Sequence, residues 1–343
     1  MKPRRTAAGT LLIGIVLATL VSPAQAQGIP QRVSALEDQL EQLRDRVRRL
    51  IDEVRGQNAT ITQMAAVVNS QSALIAQLQQ ANKTVQGTLG CVSKTGDDVY
   101  FTGCNVHVRS GSGGTDGDAN GLGNLIIGYN EDAASLSGDT PLSQRGGSHN
   151  LVVGPGHSYT SHGGLVAGYR NSILGRNATV SGGADNTANG AVSSVSGGSL
   201  NTASDASSSV SGGWKNTANG ALSSVSGGRD NIASGWFSSV SGGYNNRAIG
   251  DSSSVSGGGN NTAFGEASSI SGGSSNTTAR PNALGTHASI SGGFNNTANG
   301  VVSSVSGGRD NIASGQASSI SGGQGRTAPG DHDWAAGGLI EDQ

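Results

Sequence analysis

The chain has 343 residues, 57 of them glycine and only 3% aromatic. That supplies too few large apolar side chains for an ordinary globular core and fits a turn-rich repeat instead. A net charge of −2, with four lysines in all, removes the electrostatic case for nucleic acid or an anionic membrane surface as a partner.

Residues 1–26 have the pattern of a secretory signal peptide. Lys2, Arg4 and Arg5 form a basic region, Leu11 to Val21 an apolar run, and Ala24-Gln25-Ala26 a small-x-small site with cleavage expected after Ala26. The run falls short of the roughly 20 residues that cross a bilayer. The expectation is an exported chain, secreted or at the cell surface, with no membrane span after cleavage.

From Val33 to Leu89 the apolar period becomes seven. Val33, Leu40, Val47, Val54, Ile61, Val68, Ile75, Asn82 and Leu89 fall at a positions, and Leu36, Leu43, Leu50, Gln57, Met64, Gln71, Leu78 and Val85 at d. An unbroken heptad register over residues 33–89 predicts a parallel coiled-coil helix about 85 Å long. β-Branched a with Leu at d favours dimers in simple parallel coils. Against this, Arg32-Val33-Ser34-Ala35-Leu36-Glu37 resembles the Arg-apolar-x-x-apolar-Glu motif of trimeric coiled coils, and Gln57 and Gln71 at d resemble the polar layers of trimeric stalks. The expected partner is the chain itself, as a homotrimer.

Residues 90–125 read as a connector and N-terminal cap. Cys91 and Cys104 are expected to form a disulfide in an exported chain, within one chain or between neighbours, and Val99-Tyr100-Phe101 reads as a strand. Asp116-Gly117-Asp118-Ala119-Asn120-Gly121 has the opening of a calcium loop but lacks its twelfth-position acid, which is Ile127; a solvated turn is preferred. A loop is expected over residues 131–147.

The rest of the chain is one short repeat, Val/Ile-Ser-Gly-Gly-x-x-Asn-Thr-Ala-x-Gly-x-x-Ser-Ser. It starts at Val180, Val195, Val210, Val225, Val240, Val255, Ile270, Ile290, Val305 and Ile320, with earlier, looser members at Ile126, Val152 and Val166 and a last one at Ala335. The spacing from Val180 to Ala335 is fifteen residues apart from one step of twenty, which carries an insertion near residues 278–286. A fixed short period marks a solenoid, and fifteen residues suffice for two strands of about five residues and two turns. Period-two alternation turns Val195 inward and Ser194 and Ser196 outward, and places Asn201 and Ala203 opposite Thr202. Each turn then gives the interior one Val or Ile, one Ala, one Asn and one Gly. The Asn column either stacks inward in register or serves outward turns. With so thin an interior, the turns are expected to stack and to bury a further face against other chains. Arg326, in place of the column Asn, and Trp334, in place of Ser, mark a C-terminal cap.

This pattern resembles the Ser-Val-Ala-Ile-Gly-x-x-Ala-x-Ala-x-Gly head repeat of the trimeric autotransporter adhesins, a YadA-like left-handed parallel β-roll. The resemblance covers residues 126–343 and implies a mainly β fold of 14–15-residue turns behind the coiled coil, and a Gram-negative-type outer surface. Gly182 and Gly197 stand where the family has a second inward aliphatic, and the helical segment precedes the head. No alternating apolar strands follow Trp334, so the family's anchor barrel is not carried over.

No Walker loop, GxGxxG or GxSxG occurs, and the Ser columns have no base in phase, so no enzymatic activity and no cofactor are expected. His107, His149, His157, His162, His287 and His332 show no metal spacing and read as loop residues. The leading expectation is an adhesin-like surface protein whose repeated polar faces bind a cell-surface or extracellular-matrix ligand multivalently. The alternatives are a ligand-free structural spacer and, less favoured, an ice-binding solenoid. Trp214, Arg229, Tyr244, Phe294 and Arg309 share one column, the first variable place after the Gly pair, which leans towards binding.

Overall fold

A computed structural model describes residues 28–137, 143–278 and 286–337. Ala26 and the signal segment lie outside them, as does most of the insertion near residues 278–286. Two compact units divide between Asn105 and Val106.

The first unit begins with α1 (Gly28–Thr88), an unbroken helix with no buried residue. Good helix formers fill its heptads, its one proline, Pro30, sits in the first turn where no helical N–H is lost, and Gly87 and Gly90 stop it. Strands β1 (Val92–Thr95) and β2 (Asp98–Phe101) follow as an antiparallel hairpin with Thr95 opposite Asp98. Gly96, at φ 60°, takes the left-handed conformation that such a tight turn requires. Cys91 and Cys104 are bonded to each other within the chain across the open end of this hairpin, with Cα atoms 6.0 Å apart.

The second unit is a parallel β-solenoid. It begins at β3 (Leu125–Ile127), and all fourteen repeat starts from Ile126 to Ala335 lie in one parallel sheet of fourteen strands, called here the valine sheet. The Thr-Ala segments form a second parallel sheet of twelve strands, the alanine sheet. The register is strict: Val195 pairs with Val180 and Val210, and Ala203 with Ala188 and Ala218.

The strands are shorter than their sequence suggests. Most span two residues, such as Ser194–Val195 and Thr202–Ala203, and a third ladder of single bridges runs through Ala184, Ser199, Trp214 and Arg229. Three left-handed residues per turn cut the chain into these short pieces. In one turn they are Gly198 (φ 79°), Leu200 (φ 59°) and Ser207 (φ 54°). The second glycine of each pair is required for space as well, because a Cβ at Gly198 would stand 2.6 Å from Asn201 Nδ2. The first glycine is not so constrained, and a Cβ at Gly197 would meet nothing within 4 Å.

The interior columns are buried within the single chain. Four inward columns are buried: Val195, Asn201 and Ala203 as expected, and in addition Ser193, which the alternation of Ser194-Val195-Ser196 does not reach. Gly190, Gly220 and Gly235 fill the corner place that the repeat assigns to glycine, and are buried too. The N-terminal turns are filled with larger residues, Tyr159 and Ile173 standing where later turns have Ala188 and Ala203.

Candidate binding ladder on the roll

The Asn column faces inward. Asn201 Nδ2 donates to Gly197 O in its own turn (3.0 Å) and to Gly213 O in the next (3.0 Å), while its Oδ1 accepts the Asn216 N–H (3.0 Å). The same set recurs from Asn171 to Asn311, and each Asn side chain pairs the buried N–H of the next Asn and the carbonyls of the bends in its own turn and the next. Arg326 ends the ladder by donating its N–H to Asn311 Oδ1 (2.9 Å). Trp334 lies on the outer side of the last strand, where its Nε1 donates to Ser321 Oγ (2.9 Å).

His157 is not a loop residue. It is fully buried and takes the Asn place in the first turn of the ladder: Nδ1 accepts the Asn171 N–H (3.1 Å) and Nε2 lies 3.0 Å from Val153 O. This requires a neutral ring with its proton on Nε2, and burial lowers its pKa from the usual histidine range. Among the described residues no three His, Cys, Asp or Glu come together as a metal site. Asn120, in the loop that opens like a calcium site, is committed within the fold, its Nδ2 to Ser110 O (3.0 Å) and its Oδ1 to Ser148 Oγ (3.0 Å) and the Leu122 N–H (3.1 Å). Asp132 caps the short helix Ala133–Ser137; the Ala134 N–H leads in lowering its pKa, helped by the Ser143 N–H and Arg145.

The residues expected to set a trimer, Arg32, Val33, Leu36, Glu37, Gln57 and Gln71, all lie on α1, and Arg32 and Glu37 form no ion pair among the described residues. The apolar seam is open to water, with Val33 46% and Leu36 64% exposed.

The outer surface of the roll is where the aromatic and arginine column becomes a structure. Trp214, Arg229 and Tyr244 occupy successive rungs of the third ladder. The Arg229 guanidinium lies 4.8 Å from the Trp214 ring centre and 5.7 Å from that of Tyr244. It is thus held between two rings, and Asp230 Oδ2 neutralises it at 3.1 Å. Phe294 and Arg309 repeat the pair at 5.0 Å, with Asp310 3.7 Å from Arg309. Beside this column runs a second exposed one, in which Asn245 donates to Asn260 (2.8 Å) and Asn295 to Asp310 (2.7 Å). Sequence reasoning found the first column from its spacing. It missed the second, although most of its left-handed residues, such as Asp230, Asn245, Asn260 and Asn295, are the Asn and Asp that tolerate this conformation.

At another corner Trp236 and Phe237 stand 5.6 Å apart, both exposed. Among the described residues no helix is long and apolar enough to cross a membrane.

The chain matches no protein-family model and has no significant similarity to a curated protein. What the geometry defines is a parallel β-solenoid of about fifteen-residue turns following one long helix.

Proposed function

We propose that the protein is an exported, homotrimeric, adhesin-like surface or extracellular protein whose roll presents repeated polar faces for multivalent binding. The observation that carries this reading is α1. A helix of 61 residues with no buried residue, and with heptad seam positions from Val33 to Leu89 exposed in the single chain, has an apolar stripe that only other helices can cover. Burying one such Leu or Val contributes about 1.5 to 3 kcal/mol, so a seam of this length drives association strongly. The Arg32–Glu37 motif and the Gln57 and Gln71 layers favour three chains, and residues 1–26 favour export. The roll supports the division of labour: its interior columns are buried within the single chain, which leaves its outer columns for ligands.

Repetition then does the binding. Weak contacts offered at successive turns and by three chains add through effective concentration. The test is the mass in solution of residues 27–343 by light scattering under non-reducing conditions. Three times the chain mass is expected; a monomer at micromolar concentration would overturn the reading.

A further inference from the structure

We propose that the roll carries a slot for a neutral glycan between Tyr244 and Phe294. Large residues stand on the third ladder at Tyr169, from Trp214 to Tyr244 and from Phe294 onward, and between the last two blocks the rungs are Gly259 and Ser274. Successive parallel rungs are about 4.8 Å apart, so the backbones at Tyr244 and Phe294 stand about 14 Å from each other, with a floor of small residues between them. That leaves space for a sugar ring stacked on each wall at a contact distance of about 4 Å.

The walls are built for this. Arg229 backs Tyr244 on the side away from the slot, and Arg309 backs Phe294 likewise, at 5.7 and 5.0 Å from the ring centres. Each ring therefore has a guanidinium on the rung behind it and remains half exposed. Tyr244 leans over the floor: a Cβ at Gly259 would lie 3.9 Å from its Cδ1. Both rings are accessible, Tyr244 at 49% and Phe294 at 44%. An exposed aromatic face is suited to the C–H face of a pyranose, which is apolar and flat.

The edge of the slot is polar and uncharged. Asn260 and Ser275 sit beside the floor at φ 58°, and Asn245 and Asn295 flank them at φ 49° and 54°. The Asn245-to-Asn260 bond leaves Asn245 Oδ1 and Asn260 Nδ2 without a protein partner among the described residues. An acceptor and a donor side by side match vicinal sugar hydroxyls, each of which gives and takes a hydrogen bond. Charge selects the class: the arginines outside the slot are already paired with Asp230 and Asp310, and no charged residue stands on these two columns between Asn245 and Asn295. Exposed Arg247, on the strand that follows Asn245, is the cation a polyanion would seek instead, which makes heparin the control. The slot lies on a single roll, so its occupancy does not depend on how many chains associate.

The experiment is isothermal titration calorimetry of the full chain with maltohexaose, cellohexaose and chitohexaose, and with heparin as the polyanion. At least one neutral hexasaccharide is expected to bind with a Kd on the order of 0.1 to 1 mM, unchanged between low and high salt. Tyr244→Ala and Phe294→Ala should each weaken it at least tenfold. Gly259→Trp should abolish it by filling the slot, in a ladder place that already accepts Trp214, so the fold is retained; Trp236→Ala, at the other corner, should leave it unchanged. Absence of binding to all three neutral sugars overturns the proposal, as does binding that survives Gly259→Trp or that occurs with heparin alone. A chain that scatters as a monomer yet binds with this pattern keeps the slot and loses the trimer.

Discussion

Asn231 sits in the middle of the buried ladder, and its removal tests whether the amide column holds the roll together. Its Nδ2 donates to Gly227 O (2.9 Å) and Gly243 O (3.0 Å), and its Oδ1 accepts the Asn246 N–H (2.9 Å). In Asn231→Ala three bonds go, but the orphans are fewer. Gly243 O keeps the Arg229 N–H at 2.9 Å, whereas the buried Asn246 N–H and the carbonyl of half-buried Gly227 lose their partners. Each orphaned buried group costs about 1 to 3 kcal/mol, and the lost amide leaves a small void. A loss of about 3 to 5 kcal/mol is expected. Because each turn contacts only its neighbours, the damage falls on one interface and should lower the cooperativity of unfolding as well as its midpoint. Urea unfolding followed by circular dichroism measures both. Asn245→Ala, one residue away but exposed, should fall within about 0.5 kcal/mol of the parent chain. A cost under 1 kcal/mol for Asn231→Ala would refute the role given to the ladder.

The Ser column makes the opposite prediction from equal burial. Ser238 Oγ and Ser253 Oγ have no hydrogen-bond partner, and Ala178 and Ala288 already occupy equivalent places, so Ser238→Ala should be neutral or stabilising in the same urea assay. Val302 is a β-branched residue held at φ 58°; Val302→Asn should raise stability by about 1 kcal/mol, read as an upward shift of the thermal midpoint. His157 has a lowered pKa, so the unfolded chain binds its proton first. Its contribution to stability is full above the unfolded value near 6.5 and is lost as pH falls from there towards the lowered folded value. His157→Asn keeps the ladder and should flatten that part of the stability-against-pH curve in urea titrations at pH 5 to 8.

Much of this fold is legible residue by residue. Val195 and Ala203 face inward because alternation within a strand leaves them no other choice, and the fifteen-residue period stacks like on like. The seam of α1 is as clear, since a strict seven-residue period has no other reading. Other features were not legible. Ser193 is as buried as Val195 because the chain is extended just before the strand, yet a serine among serines carries no hydropathy signal. His157 reads as a loop residue until its backbone position is seen to be that of an Asn. The Asn column was open to two readings, inward or outward, because Asn is equally at home in a turn; the neighbouring turn's N–H and carbonyl groups decide it. The candidate slot was half visible: spacing placed Tyr244 and Phe294 in one column, but only the arginines stacked behind half-exposed rings make them walls.

What the sequence by itself determined is the periodic part: a heptad helix, then a parallel coil of about fifteen-residue turns with Val and Ala in its interior. These follow from rules local to a strand or a helix, repeated until chance is excluded. Only the tertiary structure decided that the turn has three ladders and two-residue strands, that a fourth, serine column is buried, that the cysteines bond within one chain, and that the interior columns are buried within the single chain. Each depends on where one turn places its backbone against the next, roughly 4.8 Å away along the coil but fifteen residues away along the chain, a distance no local pattern reports.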